Sequence, residues 1–140
     1  MHSKTWAEVE TAIQDFHFSE QFDLIVAIAN GGIIPAALLN QRLLIPIELV
    51  KLSFRDPTQK PMFDAPKLAA PLSFDPTGKN ILLVEDRVKT GATLELAKSI
   101  LSSAKLIKTF AVNGKADYAL FDEACFRFPW IIENRTSART

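Results

Sequence analysis

A single cysteine in 140 residues, Cys125, excludes an internal disulfide, and with only two histidines the chain lacks the soft ligands of a zinc cluster. Charge of one sign is also missing. Sixteen basic residues balance sixteen acidic ones, so no overall field gathers nucleic acid or an anionic membrane, although a local patch can still hold a small anion. No apolar run approaches the roughly 18 residues of a membrane span, and no basic-then-apolar leader opens the sequence. The expectation is a cytoplasmic protein with neither nucleic-acid nor membrane partners. Glycine is scarce, with five in all, and neither Gly-x-Gly-x-x-Gly nor Gly-x-x-x-x-Gly-Lys occurs. Those absences argue against a standard dinucleotide-binding or nucleotide-hydrolase loop. Internal repeats and low-complexity tracts are lacking as well.

What is present is enough apolar sequence, 48%, to bury one core, and the length gives no reason to expect more than one domain over residues 1–140. In "TWAEVETAIQDF", Thr5 stands three residues before Glu8, the spacing of a capping box, and Trp6, Val9, Ile13 and Phe16 recur at helical intervals. "DLIVAIA" (23–29) is a nearly continuous apolar run stopped by Asn30, Gly31 and Gly32, as in a strand covered on both faces. "IIPAALLNQRLL" then has helical composition, with Pro35 tolerable in a first turn. Strands are expected at 45–54, 79–85 and 105–113, with a helix over 93–104. Between them, residues 55–78 carry five prolines and should form a long loop, either a functional lid or a surface insertion.

Strands alternating with helices predict an α/β fold with a mainly parallel sheet, whose ligands bind at the carboxyl ends of the strands. Asn30-Gly31-Gly32, Ser53-Phe54, Glu85-Asp86 and Asn113-Gly114-Lys115 all fall at such ends. In "ILLVEDRVKTGATLELAKSIL" (81–101), a turn of small residues enters a helix, which exposes unpaired amides at the positive end of the helix dipole and suits a phosphate. Glu85 and Asp86 can accept hydrogen bonds from a diol or hold a divalent cation. A phosphorylated sugar satisfies both halves; ordinary helix capping beside two solvated acids accounts for the same residues.

"ILLVEDRVKTGATL" resembles the phosphoribosyl-pyrophosphate (PRPP) signature of the type I phosphoribosyltransferases: hydrophobics, two acids, variable residues, then Thr-Gly-x-Thr. The resemblance implies that family's fold, with a small C-terminal hood over 114–140 and a flexible lid over 55–78. It implies that Glu85 and Asp86 meet the ribose hydroxyls and take part in magnesium binding, while Arg87, Val88, Lys89, Thr90, Gly91, Ala92 and Thr93 wrap the 5′-phosphate. Ala29, Asn30 and Gly31 resemble the pyrophosphate loop, and Ser53, Phe54 and Arg55 the start of the lid.

"GKADYALFDEACFRFPW" (114–130) is similar to the base-binding hood of the 6-oxopurine enzymes, which act on hypoxanthine, guanine or xanthine. By that likeness Lys115 donates to the purine 6-oxygen, Phe126 stacks on the ring, the Arg127 carbonyl accepts from an exocyclic amine, and Glu133 joins the magnesium site. Read without the likeness, the alternating Phe126, Phe128 and Trp130 are ordinary core. Two positions depart from the family pattern. Lys89 stands where an aspartate usually handles the purine N7 proton, and a cationic lysine cannot accept it; Asn30 stands where many relatives have Arg or Lys.

The implied reaction is magnesium-assisted transfer of the phosphoribosyl group from PRPP to a purine, giving a nucleoside monophosphate and pyrophosphate, with Glu85, Asp86 and Lys89 as the catalytic set. Three alternatives stay open: a PRPP- or nucleotide-binding regulator on the same fold, a transferase for another base, and a flavodoxin-like binding module. Apolar residues on the first helix and around "IIPAALL" suit a homodimer contact as well as a core.

Overall fold

The computed structural model describes residues 2–53, 67–68 and 70–132. Helix α1 (Trp6–Asp15) begins with the expected capping box, in which the Glu8 amide donates to Thr5 Oγ1 and the Thr5 amide to Glu8 Oε1, each at 3.1 Å. Strand β1 (Leu24–Ala29) leads through the glycines into α2 (Ile33–Leu43), followed by β2 (Ile47–Ser53). A two-residue strand, β3 (Lys67–Leu68), comes next, then β4 (Asn80–Arg87), α3 (Ala92–Ile100), β5 (Leu106–Asn113) and β6 (Tyr118–Phe121).

The six strands form one sheet in the order β3-β2-β1-β4-β5-β6. Five of them are parallel, and β3 pairs antiparallel with Leu52 and Ser53 of β2. The expected α/β fold with a mainly parallel sheet is therefore present. β3 departs from the loop expected over 55–78, because an edge partner can order two residues that carry no periodic signal of their own. The helix expected over 93–104 ends earlier, with Leu101 as its cap, and residues 101–104 form a turn.

Alternation along the strands divides the core. Ile25 and Ala27 of β1, Leu82 and Val84 of β4, and Phe110 and Val112 of β5 pack with Val9 and Ile13 of α1 and Ala36 and Leu39 of α2. On the other face Leu24, Val26 and Ile28 join Val50, Ile81 and Leu83 beneath Leu94, Ala97 and Leu101. Both faces of the central strands are covered, which is why those strands read as unbroken apolar runs.

The C-terminal part is less separate than a hood. β6 extends the main sheet, and Phe126 and Phe128 belong to the α1/α2 core cluster. Only residues 114–117 link β5 to β6, far fewer than an ordinary parallel crossover. The reversal is pinned by Asp117, whose Oδ2 accepts from the Thr109 amide at 2.9 Å and hydroxyl at 3.1 Å. Among the described residues no helix is long and apolar enough to cross a membrane.

Candidate functional site

The strand order reverses between β1 and β4: from β1 the chain builds outward to β2 and β3, whereas β4, β5 and β6 build the opposite side. In open α/β sheets such a switch point opens a crevice at the carboxyl ends of the strands. Here the ends of β1 and β4 deliver Ala29-Asn30-Gly31 and Glu85-Asp86-Arg87, and the helices that follow, α2 and α3, both point their N-termini at this edge.

A cavity of about 320 Å³ lies at the end of β4, lined by Glu85, Arg87, Val88, Lys89, Thr90, Gly91, Thr93 and Leu94. Its floor is the start of α3. Gly91 caps that helix at φ 85, a left-handed conformation that glycine adopts without steric cost, and makes no side-chain cap to the amides behind it. Thr90 Oγ1 accepts from the Ala92 amide at 3.3 Å. Among the described residues, the amides of Lys89, Thr90, Gly91, Thr93 and Leu94 have no protein acceptor. Unpartnered amides at the positive end of a helix dipole form an anion site.

Adjacent strand positions face opposite ways, and the two acids do so here. Glu85 faces the cavity, whereas Asp86 lies against the β1 loop, where a Cβ at Gly31 would come 2.6 Å from Asp86 Oδ1. Glycine at 31 is thus what lets the loop approach the carboxylate. The Ala29–Asn30 peptide in this loop is cis, and Asn30 is exposed. Burial, and then the Asp86 charge, push the Glu85 carboxyl up to about 8. Burial also raises Asp86, offset in part by the hydrogen bond from the Arg87 amide and by the guanidinium charge. Neither acid has a salt-bridge partner among the described residues.

Arg87 lines the cavity, while its amide donates to Asp86 Oδ1 at 2.6 Å and its Nη2 to the Phe126 carbonyl at 2.5 Å. The Val88 amide is committed to the Asn113 carbonyl at 2.9 Å, so the free amides begin at Lys89. Phe126 is fully buried, edge-on to Phe121 and Phe128, and has no open face for a base. The Arg127 carbonyl accepts from the Lys4 amide at 3.0 Å, part of a short pairing with the N-terminal segment. Lys115 and Lys89 are exposed.

Ser53 ends β2; Phe54, Arg55 and Glu133 lie outside the described residues, as does most of 55–78. The sequence placed Asn113 at a strand end but gave it no role; it is 3% exposed and holds Glu123 through both backbone groups, Nδ2 donating to the carbonyl at 3.2 Å and Oδ1 accepting from the amide at 3.1 Å. A polar residue closing a buried strand was the available signal. A larger groove between α1 and α2, about 410 Å³, lies away from the strand ends, and its Arg42 is committed to the Ile13 carbonyl at 2.8 Å.

Comparison with known proteins gives a family match and several similar phosphoribosyltransferases. The model of the phosphoribosyl transferase domain matches residues 2–135. A xanthine-guanine phosphoribosyltransferase from Idiomarina loihiensis is 26% identical over 137 residues, covering 90% of this chain and 84% of that protein. Another from Desulfotalea psychrophila is 31% identical over 124 residues, covering 84% of this chain and 75% of that protein. Among solved structures, a purine phosphoribosyltransferase from Pyrococcus horikoshii superposes with a TM-score of 0.73 at 27% identity, covering 95% of this chain and 98% of that one.

Proposed function

The chain belongs to the phosphoribosyl transferase domain family, and on that premise we propose that it transfers the phosphoribosyl group of PRPP to a 6-oxopurine, releasing pyrophosphate. The observation that carries the reading is the open amide cradle of Lys89–Thr93, set beside the half-buried Glu85 at the sheet's switch point. The cradle suits the 5′-phosphate, and Thr90 and Thr93 add hydroxyl donors. The carboxyls of Glu85 and Asp86 suit the two ribose hydroxyls. The N-terminus of α2 supplies a second positive dipole end for the pyrophosphate, beside the Asn30-Gly31 loop.

In the reaction, a ring nitrogen of the base forms a bond to the anomeric carbon as the bond to pyrophosphate breaks, and the base's ring N–H proton is lost to solvent. Positive charge grows on the sugar and negative charge on the leaving group, and fixed amides stabilise the latter without reorganising. Lys89, a cation beside the phosphate, fits charge neutralisation better than removal of the base's proton.

The two carboxylates fit magnesium: they are adjacent and unpaired with any cation among the described residues, and magnesium needs only one or two protein carboxylates when substrate oxygens and water complete its shell. When bound, it would neutralise charge on the departing pyrophosphate.

Residues 67–78 have a described part whose Leu72 and Phe74 pack on the α3 face, which anchors one end of the proposed lid. Closure of such a lid excludes water that would hydrolyse the same electrophile.

The test is pyrophosphate release from PRPP with guanine, hypoxanthine and xanthine. Turnover should fall by about 100-fold or more in a folded Glu85→Ala/Asp86→Ala variant. Unchanged turnover would reject the roles given to the acids, and release of pyrophosphate with none of the purines would reject the substrate class.

A further inference from the structure

We propose that Gly114 is a positioning residue for the phosphate cradle: its bare Cα is the surface against which the Val88–Lys89 peptide is set, and that contact aims the Lys89 amide at the cavity. The inference rests on reading the cavity as the 5′-phosphate site. β4 and β5 stay paired to their last residues, Arg87 and Asn113, and one further bond carries the pairing into the turn, from the Val88 amide to the Asn113 carbonyl at 2.9 Å. Gly114 follows directly, at φ 124. A Cβ placed on it would lie 2.4 Å from the Val88 carbonyl oxygen and 3.0 Å from Val88 N and Cβ, so the two backbones meet where no side chain fits. Gly31 meets Asp86 in the same way from the β1 side, and the end of β4 is thus approached by bare backbone from both of its neighbours.

The carbonyl contact fixes more than Val88. In a trans peptide the C=O and the following N–H point in opposite directions. With the Val88 carbonyl turned to Gly114, the Lys89 amide is turned away from β5, and Lys89 lines the cavity. That amide is the first of the unpartnered donors in the cradle.

The two sides of the contact differ in stiffness. Gly114 is held from behind: its amide donates to the Phe121 carbonyl at 3.0 Å, and the reversal over 114–117 is pinned again by Asp117 on the Thr109 amide and hydroxyl. Asn113, just before it, is bonded through both side-chain polar atoms to the Glu123 backbone. The cradle has no comparable ties, since among the described residues no hydrogen bond involves the backbone of Lys89 or Thr90. A side chain at 114 is therefore accommodated by rotation of the Val88–Lys89 peptide. That rotation takes the Lys89 amide out of the cradle and leaves those of Thr93 and Leu94, in the first turn of α3, where they were.

The experiment follows the backbone amides of the full chain in nitrogen–proton correlation spectra as ribose 5-phosphate is added. It compares the wild type with Gly114→Ala and with Val9→Ala, which opens a void in the α1/α2 core and so lowers stability without touching the contact. In the wild type the Lys89, Thr93 and Leu94 amides should all shift on saturation. In Gly114→Ala the Lys89 shift should be lost while the other two persist, and the dissociation constant should rise by about tenfold, the scale of one charge-assisted hydrogen bond. Val9→Ala should melt earlier yet keep the wild-type constant and all three shifts. Asp117→Ala tests the same contact with no new side chain at 114: releasing the reversal should shrink the Lys89 shift relative to those of Thr93 and Leu94. An undiminished Lys89 shift in Gly114→Ala, or in Asp117→Ala should the first variant not fold, would overturn the positioning role, as would equal weakening by Val9→Ala. A wild type in which ribose 5-phosphate moves none of the three amides would overturn the cradle itself, and the functional reading with it.

Discussion

Glu85 binds its proton far more tightly in the folded chain than an unfolded glutamate does, because burial and the Asp86 charge raise its carboxyl from 4.5 to about 8. A raised folded-state value means that the native state holds the extra proton between those two values, so stability is fully present below the lower one and is lost as pH rises through the upper. Glu85→Gln removes that titration. The melting temperature of the wild type should therefore fall relative to that of Glu85→Gln between about pH 5 and about pH 9, and parallel curves would contradict the burial of the carboxyl. The residue scale is also where sequence reading was weakest. Phe126 and Phe128 were legible as a period-two apolar pattern, but periodicity does not reveal which ring keeps an open face, and the fold left Phe126 none. Arg87 reads as part of the turn that follows β4, whereas its side-chain partner is 39 positions away and is set by the β4–β5 register.

Elements were more readable wherever one local rule sufficed. The Thr5/Glu8 box started α1 as expected, and the apolar run before Asn30 became β1. β3 and the short β5–β6 link were not readable, since one is two residues paired by an edge and the other depends on Asp117 reaching back to Thr109. Two substitutions separate element stability from site function. Gly91→Ala meets no atom within 4 Å, so its cost is conformational, about 1–2 kcal/mol for a left-handed alanine. Escaping that strain would re-aim the amides of the cradle, so the KM for PRPP should rise by more than the modest fall in melting temperature suggests. Thr5→Ala should cost about 1 kcal/mol by loss of a cap and leave both Michaelis constants unchanged. Thermal melts with initial rates for the two variants check the contrast; equal kinetic effects would deny the cradle its role.

For the whole molecule, the parallel order β2-β1-β4-β5 places two glycine-containing turns and two helix N-termini at one edge, with a core on each face of the sheet holding that edge rigid. That arrangement was legible early, because unbroken apolar strands imply cover on both faces and right-handed crossovers then send every carboxyl end the same way. The signature residues share one strand end, but where each side chain goes is set by tertiary geometry: Glu85 to the cavity, Asp86 to the β1 loop, Arg87 and Asn113 to the C-terminal segment.

The most direct test is a crystal structure with guanosine 5′-monophosphate. The account predicts the phosphate on the amides of Lys89–Thr93 and the ribose diol at Glu85 and Asp86; a phosphate bound elsewhere, or a diol out of reach of both acids, would contradict it.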